Sequence, residues 1–155
     1  DDVDELRSRL NGSCRLTEDE LVTKTIIDTE LPFSYVTYDF LDELSKLEPC
    51  GNGNPKPVFA LRGLRVVGVT QGRSERAPIT IRVVDPSGQK RNLKLFDRDG
   101  AFLDRADEFY GQGTAGDMCE GICENVIIDV IYNPSLNEYR GERSIEFLVN
   151  DYRFK

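Results

Sequence analysis

The 155-residue chain contains no histidine and no tryptophan, and its four cysteines are irregularly spaced. The absence of histidine excludes Ser-His-Asp triads and imidazole metal ligands from this chain. Four scattered thiols in a chain long enough to build a core favour free cysteines over a disulfide framework. Cys119 and Cys123 would need two further ligands to hold zinc. We therefore expect no catalytic or metal site here.

Long apolar segments are also missing. No run approaches the roughly 20 residues that a membrane-spanning helix needs. The first residues, Asp1, Asp2 and Asp4, are unlike the basic start of a signal peptide. We expect a cytoplasmic protein with no membrane partner.

Charge is abundant but unevenly distributed. The 28 acidic and 20 basic residues give a net charge of -8, which argues against a protein that binds polyanions over its whole surface. Residues 61–98, however, carry nine basic and three acidic groups. Because the Debye length is about 8 Å at physiological salt, a phosphate near this segment would respond mainly to the local cations.

The first 58 residues predict short helices and one strand. Apolar residues at helical spacing, followed by Asn11-Gly12, predict the last turns of a helix over residues 1–13. Thr23–Asp28 predicts a strand. Thr37 is a suitable N-cap for a helix that ends at Glu48-Pro49. Residues 50–57 (CGNGNPKP) predict a shaped turn; Gly51 and Gly53 lack the third glycine of a dinucleotide loop.

After residue 58 the apolar period changes to two. Five runs predict strands, at residues 64–71, 79–85, 92–97, 126–132 and 144–152. Residues 99–110 predict a helix with Phe102, Leu103, Ala106 and Phe109 on one face. Three strands, a helix and two strands is the order of the OB barrel, whereas a β-sandwich usually needs about seven strands. We predict a mainly β fold with α elements (α+β): a five-stranded OB-fold barrel preceded by a small α/β linker segment.

Alternation along the second and third strands predicts which side chains point outward. The outward set is Arg82, Lys94 and Phe96, opposite a buried face of Ile79, Ile81, Val83, Leu93 and Leu95. In OB barrels this outer face and two flanking loops bind single strands. The first loop adds Arg73 and Arg76, and the second, at 133–143, adds Asn137, Tyr139, Arg140 and Arg143. Cations would hold phosphates while an aromatic ring stacks a base; alternatively, these side chains only solvate the barrel and Tyr139 packs on its own loop.

Three stretches resemble one family. Residues 47–59 (LEPCGNGNPKPVF) resemble the L-E-P-x-G-x-G-N-P-x-P-x-F signature of RecJ single-strand-specific exonucleases. Leu6–Asn11 resembles the closing helix of that family's DHH-associated domain, and Asn137–Gly141 with Ser144-Ile145 resembles a loop of its carboxy-terminal OB domain. Relative to the family pattern, residues 111–123 look like a long variable loop.

The resemblance implies a carboxy-terminal fragment of a bacterial enzyme that degrades single-stranded DNA from its 5′ end in recombination and repair. Residues 1–13 would be the tail of the DHH-associated domain, 14–58 a connecting segment with a strand and a helix, and 59–155 the OB-fold domain. Mn²⁺ or Mg²⁺ would belong to an upstream catalytic domain, so the fragment itself is expected to hold no cofactor and to be inactive alone.

Two roles follow from the resemblance. The expected one is binding of single-stranded DNA and its guidance to the distant metal site; the alternative is a protein-interaction or bracing domain with little DNA contact. Expected partners are single-stranded DNA, the upstream catalytic domains of the same chain, and single-strand-binding or repair proteins. An independent metal nuclease would instead degrade DNA in the presence of Mn²⁺, and we expect no such activity.

Overall fold

The computed structural model describes residues 2–15, 25–72, 77–97 and 100–155. Its helices are α1 (Asp2–Ser13), a short 3-10 turn (Phe33–Tyr35), α2 (Tyr38–Ser45), α3 (Ala101–Tyr110) and α4 (Thr114–Glu120). Its strands are β1 (Thr29–Glu30), β2 (Phe59–Thr70), β3 (Ile79–Val84), β4 (Lys90–Leu95), β5 (Ile127–Tyr139) and β6 (Glu142–Phe154). None of the described helices is long and apolar enough to cross a membrane.

Strands β2 to β6 close on themselves. Pairing runs in the order β2-β3-β4-β6-β5, and β5 pairs again with β2. The pairs are antiparallel except for β4 with β6, which is parallel. Helix α3 lies between the third and fourth of these five strands along the chain. The predicted α+β fold with the strand order of an OB barrel is confirmed.

Two register shifts in β2 allow it to pair with both β3 and β5. Its register with β5 shifts between Leu61 and Leu64, and its register with β3 shifts between Val66 and Gly68. Such bulges bend a strand and increase its twist, which a closed five-stranded sheet requires. Gly63 lies at the first shift with φ +68°, a conformation that disfavours other residues.

The core follows the predicted alternation. Ile81, Val83 and Leu93 are fully buried, as is Phe102 of α3, which fills the barrel interior. Phe109 was expected on the same apolar face of α3 but is 58% exposed. Its ring instead lies on the outside of the last turn, 4.9 Å from the Tyr110 ring and 6.0 Å from the Phe154 ring.

The segment before the barrel shares its core. Phe33 is 1% exposed, and its ring lies 4.8 Å from that of Phe147 and 6.0 Å from that of Tyr132. The Tyr132 hydroxyl donates a hydrogen bond to the Leu31 carbonyl at 2.6 Å. Burial raises the pKa of Tyr132, so this hydroxyl stays protonated as a donor. Residues 31–33 are therefore anchored to β5 and β6.

The strand predicted at Thr23–Asp28 is wrong over its described part. Residues 25–28 are not in a strand, residues 23–24 lie outside the described part, and β1 begins only at Thr29, where it pairs in parallel with Phe59. Next to β1, the Val58 amide donates to the Asp28 carboxylate at 2.8 Å and not to a backbone carbonyl, so the side chain replaces the ladder at this point. The strand therefore starts where its partner strand starts.

Helix α2 begins as predicted and ends early. The Thr37 hydroxyl accepts a hydrogen bond from the Phe40 amide at 3.2 Å, which confirms the N-cap. The helix ends at Ser45, before the expected end at residues 48–49. The following turn is closed by the Asn54 side-chain amide, which donates to the Leu47 carbonyl at 2.8 Å and to the Pro49 carbonyl at 3.2 Å. The glycine-rich motif is therefore a structural turn.

The long loop expected at 111–123 is wrong across most of its length. It contains α4, whose Met118 is fully buried and whose ends are marked by Gly113 and Gly121 with positive φ. Met118 provides the apolar anchor that holds the short helix against the barrel. Helix α1 is present as predicted, with Val3, Leu6 and Leu10 exposed.

Candidate nucleic-acid interface

The outer face of β3 and β4 forms one side of a groove of about 850 Å³. We call it the basic groove. Four cationic side chains and one carboxylate line it. Its lining residues are Arg65, Val67, Arg82, Val83, Val84, Lys90, Arg91, Asn92, Glu120, Gly121, Ile145 and Phe147.

Three of these cations are available to a ligand. Arg65, Arg82 and Lys90 are exposed, and none forms an ion pair with a carboxylate in the described part of the chain. Arg82 and Asn92 are register partners on β3 and β4, so an amide side chain lies at the neighbouring strand position on the same face. Three uncompensated cations beside a single carboxylate, Glu120, make the groove locally positive although the whole chain is negative.

Arg91 is more constrained than the other three. Its guanidinium donates to the Lys90 carbonyl at 2.9 Å and to the Gln89 side chain at 3.3 Å. It also lies close enough to Asp85 to influence that carboxylate. Burial acts to raise the pKa of Asp85, but hydrogen bonds from Ser87 and Gln89 outweigh it, and the pKa is lowered. Part of the Arg91 charge is thus already compensated.

Lys94 and Phe96 share the predicted outer face but differ in availability. The Lys94 ammonium lies 2.5 Å from a Glu146 carboxylate oxygen on the neighbouring strand β6. This acid comes from the negatively charged C-terminal part of the chain, and it compensates the lysine. Phe96 follows β4 and is 59% exposed. The ring can accept a base directly, whereas the lysine must first leave its partner.

The loop predicted at 133–143 is in fact the end of a long hairpin. Strands β5 and β6 pair without a break from Leu136–Ile145 to Tyr139–Glu142, and only Arg140 and Gly141 form the turn. These two residues have φ values of 54° and 83°. Positive φ at both positions gives a tight turn whose twist matches that of the strands. Arg-Gly lacks the familiar Asn-Gly signature, which is why the sequence did not reveal it.

Side chains at the hairpin end have different neighbours. Tyr139 is 64% exposed, and the Arg140 guanidinium lies 5.2 Å above its ring. Arg143 instead lies 5.6 Å above the Tyr38 ring and 3.4 Å from an Asp42 oxygen, both on α2. The Tyr38 hydroxyl also donates to the Arg143 carbonyl at 2.9 Å. Arg143 therefore fastens the hairpin to α2, while Tyr139 and Arg140 face solvent.

The hairpin connects to the basic groove through β6. Ile145 lines the groove and pairs with Leu136, and the turn lies three residue pairs further along the strands. At about 3.3 Å per residue, the hairpin end stands about 10 Å beyond the groove rim. Asn137 lies between them, partly buried and opposite Ser144. The predicted set is thus spread along a path, and Arg73 and Arg76 lie outside the described residues.

The predicted set lacks four polar residues of β2 and β4 that line the groove: Arg65, Lys90, Arg91 and Asn92. The alternation that places Leu64 and Val66 inward also places Arg65 outward, but the reasoning on outward side chains stopped at the second and third strands. Lys90 and Asn92 share the outward parity of Lys94 on β4. A parity argument applied to the full length of all three strands would have identified Arg65, Lys90 and Asn92, but not Arg91, which has the inward parity of Leu93.

A second group of cations is paired with a buried carboxylate and is therefore not available to a ligand. Asp129 is 7% exposed; one of its oxygens accepts from the Gly63 amide at 2.9 Å, and the other accepts from Arg153 at 2.8 and 3.0 Å. Lys155 lies 3.3 Å from the same second oxygen. Burial acts to raise the pKa of Asp129, but these donors outweigh it and lower the pKa. Arg153 and Lys155 therefore serve the fold.

The resemblance assigns Mn²⁺ or Mg²⁺ to an upstream catalytic domain, and the described residues of this chain form no site for either ion. Across residues 2–15, 25–72, 77–97 and 100–155, no three acidic or cysteine side chains cluster in a way that could hold a metal ion. Cys123 is buried, its thiol donates to the Val66 carbonyl at 3.3 Å, and burial raises the pKa of that thiol.

Comparison with known proteins decides the family. The profile of the RecJ OB domain matches residues 27–151. The chain belongs to the RecJ OB domain family. The resemblance to this family is thereby confirmed, and the match extends over the barrel, the hairpin and the segment that contains Phe33. The assignment of Leu6–Asn11 to a DHH-associated domain lies outside the matched residues and stays a prediction.

Two relatives of this RecJ OB domain are much longer proteins than the chain itself. The single-stranded-DNA-specific exonuclease RecJ of Bacillus subtilis (strain 168) is 23% identical over 153 residues, covering 97% of this chain and 17% of the relative. RecJ from Thermus thermophilus, whose crystal structure is in complex with Mg²⁺, aligns with a TM-score of 0.51 at 21% identity, covering 82% of this chain and 16% of that one. The chain thus spans about a sixth of the length of these proteins, and the structural likeness shows the shared fold.

Proposed function

We propose that this RecJ OB domain binds single-stranded DNA along the basic groove and guides it toward a catalytic domain in a longer protein. The observation that carries the proposal is the exposure of Arg65, Arg82 and Lys90 on one face without described acidic partners. The curated relative is named for its specificity for single-stranded DNA, which supports the choice of ligand.

The groove and the hairpin would contribute different interactions. Cations neutralise phosphates and release counterions, which gives affinity without sequence specificity. Exposed aromatic rings at Phe96 and Tyr139 offer stacking surfaces, and stacking is worth about 1–3 kcal/mol per base. Bases of a duplex are already stacked on each other, so this second contribution favours a single strand. Binding and orientation, rather than hydrolysis, are the chemistry proposed for this chain.

Fluorescence anisotropy with a labelled oligothymidylate tests the proposal directly. We expect a Kd of about 10 µM at low salt, in the range typical of non-specific binding, and a slope of log K against log salt near -2, since each phosphate contributes about 0.7. Replacing Arg65 and Arg82 together by alanine should weaken binding about tenfold and bring the slope toward -1.

Arg62→Ala is the matched control for Arg65→Ala. Arg62 is also an exposed arginine of β2, but it lies 2.7 Å from a Glu30 carboxylate oxygen and does not line the basic groove. Its replacement should leave affinity and salt slope unchanged. Binding that ignores salt, or an equal loss in the Arg62 and Arg65 variants, would contradict the proposal.

Guidance is tested in the full-length RecJ protein. If the groove delivers the strand, groove variants should raise KM for single-stranded DNA much more than they lower kcat. A large fall in kcat at unchanged KM would argue against guidance.

The bracing role is supported by a second surface. Arg105, Glu108, Phe109, Tyr152, Arg153 and Phe154 line a cavity of about 450 Å³ that shares no residue with the basic groove. Phe109 is exposed here and stacks edge-on against Tyr110 at 4.9 Å. A pull-down of the remaining RecJ domains with wild type and Phe109→Ala, compared with DNA affinity, separates the two roles. Loss of docking at unchanged DNA binding supports bracing.

A further inference from the structure

We propose that Gly68 is a positioning residue for Arg82. Because Gly68 has no side chain, it leaves space over β2 for the Arg82 guanidinium. The inference rests on the proposed function, because it concerns how one cation of the basic groove is held for a phosphate. It adds a residue that carries no charge and makes no contact with DNA.

The geometry is direct. Gly68 on β2 and Arg82 on β3 are register partners. A Cβ atom at position 68 would lie 2.3 Å from the Arg82 Nη2 atom and 2.9 Å from both Cζ and Nε. Favourable contacts between non-bonded atoms require about 3.5 Å or more. A methyl group at 68 and the observed position of Arg82 are therefore mutually exclusive.

The backbone does not require glycine at this position. Gly68 has no left-handed φ, unlike Gly63 of the same strand, so an alanine could adopt its conformation. Glycine inside a strand is unfavourable for stability, and it is typical of places where another group approaches the backbone closely. Here the approaching group is the Arg82 guanidinium.

A second glycine lies on the other side of this guanidinium. A Cβ atom at Gly121, just after α4, would lie 3.2 Å from Arg82 Nη2 and 3.5 Å from the Val67 carbonyl oxygen. The exposed Arg82 side chain thus lies close both to β2 and to the carboxyl end of α4, where a cation is favoured. Gly121 has φ +76°, so its replacement would strain the backbone, and Gly68 is the better position to test.

This arrangement explains how Arg82 can be ordered without being neutralised. A long cation is usually fixed by a carboxylate, as Arg153 is by Asp129. Arg82 is instead held by its fit against two glycines, and within the described part of the chain it has no ion pair. Pre-organisation of an uncompensated charge lowers the entropy lost when a phosphate binds.

The test is a double-variant cycle measured by anisotropy with a labelled oligothymidylate. Gly68→Ala should weaken binding about fivefold and reduce the salt slope by about 0.7, the contribution of one single-strand phosphate. Arg82→Ala should do the same. The double variant should bind no more weakly than Arg82→Ala alone, because Gly68 acts only through Arg82.

Gly116→Ala is the control for a glycine-to-alanine change as such. Gly116 lies within α4, and a Cβ atom there would meet no atom within 4 Å. Its replacement should leave affinity and slope unchanged. The proposal is overturned if Gly68→Ala binds as wild type does, or if it weakens binding equally with and without Arg82.

The position of Arg82 can also be read without DNA. In the free protein, the heteronuclear NOE of the Arg82 Nε–H group, assigned by its loss in Arg82→Lys, should be that of an ordered side chain. It should fall to that of a mobile side chain in Gly68→Ala, and an unchanged value overturns the inference. If instead Arg82→Ala leaves DNA affinity intact while this NOE falls as expected, the proposed groove fails and the positioning role survives.

Folding gives a further check. The atoms that would clash with an alanine at 68 belong to the far end of a flexible side chain, so Gly68→Ala should fold with Arg82 displaced. If it does not fold, removal of the clashing side chain in Gly68→Ala/Arg82→Ala should restore folding. Failure of this double variant to fold would overturn the inference.

Discussion

Two sets of cations on the same barrel have opposite surroundings. Arg153 and Lys155 surround the buried Asp129 carboxylate, whereas Arg65, Arg82 and Lys90 line a groove that contains one carboxylate. The first set stabilises the fold and has little charge left for a ligand. The second set has no acidic partner in the described part of the chain, so its charge is available to a ligand. The net charge of -8 describes neither set, because each cation responds to the acids within a few ångströms.

Folding compensates part of the positive charge that the sequence places in residues 61–98. Residues 61–98 carry an excess of six positive charges, yet Arg62, Arg91 and Lys94 of this segment have acidic neighbours in the fold. Glu30 and Glu146 come from parts of the chain far from this segment. The uncompensated positive charge is therefore smaller than the segment total and is concentrated in the groove.

The largest expected effect comes from breaking the structural set. Asp129→Asn keeps the shape of the side chain but removes the charge that Arg153 and Lys155 share. Because hydrogen bonds to a charged group contribute about 1.5–3 kcal/mol, we expect the free energy of unfolding to fall by about 2 kcal/mol. Urea denaturation followed by circular dichroism measures this change.

Glu138→Gln, at an exposed carboxylate of the same strand, is the control and should change stability by less than about 0.5 kcal/mol. DNA affinity should be unaffected by Asp129→Asn in conditions where the variant is folded. A loss of DNA binding in the folded variant would contradict the separation of the two sets.

Acid should reveal the same contribution. The pKa of Asp129 is lower in the folded protein than its ordinary value of 3.8, so below that value the unfolded chain binds more protons. The stabilisation is present above pH 4 or so and is lost as the pH falls through the folded pKa. The urea midpoint should therefore fall less between about pH 5 and pH 2 in Asp129→Asn than in wild type. Asp85, whose pKa is also lowered, leaves a residual slope in both.

A smaller effect is expected at the exposed end of the hairpin. Tyr139→Ala removes a stacking surface and should weaken binding of oligothymidylate about fivefold, at the lower end of the range for one base. Tyr139→Phe keeps the ring and should bind as wild type does. Phe109→Ala removes an equally exposed ring outside the basic groove and should have no effect. Equal losses in Tyr139→Ala and Tyr139→Phe would show that stacking is not involved.

The smallest effect should come from converting a compensated cation into an available one. Glu146→Gln releases Lys94 from its partner, and we expect DNA binding at low salt to become two- to threefold tighter, about 0.5 kcal/mol, the usual size for a partly exposed pair. Glu142→Gln removes a charge from the exposed part of the same strand and is the control. If both variants tighten binding equally, the effect is one of net charge and not of Lys94.

Local patterns predicted the elements whose determinants are close in sequence. The Thr37 cap needs only the amide of Phe40, three residues away, and the inward set on β3 needs only the period of a strand. The five strands and the helix between the third and the fourth follow from such patterns. The strand predicted at Thr23–Asp28 is wrong over residues 25–28 because pairing also depends on a distant partner: the Val58 amide, 30 residues from Asp28 in sequence, donates to the Asp28 side chain.

The site was harder to predict because its determinants are distant in sequence. Lys94 and Glu146 are 52 residues apart and meet only because β4 and β6 pair in parallel. The 133–143 segment has the composition of a loop, but two consecutive residues with positive φ are enough to close it as a hairpin. The relation of Gly68 to Arg82 depends on a cross-strand register that no local pattern contains.

The contact of Phe33 and Leu31 with Tyr132 has a practical consequence for where this domain can be cut. A fragment starting at Phe59 would keep every barrel strand, yet it would leave an aromatic-sized void beside Phe147 and a tyrosine hydroxyl with no acceptor at Leu31. The smallest unit that melts as one body should therefore start upstream of β1, much as the family profile starts at residue 27.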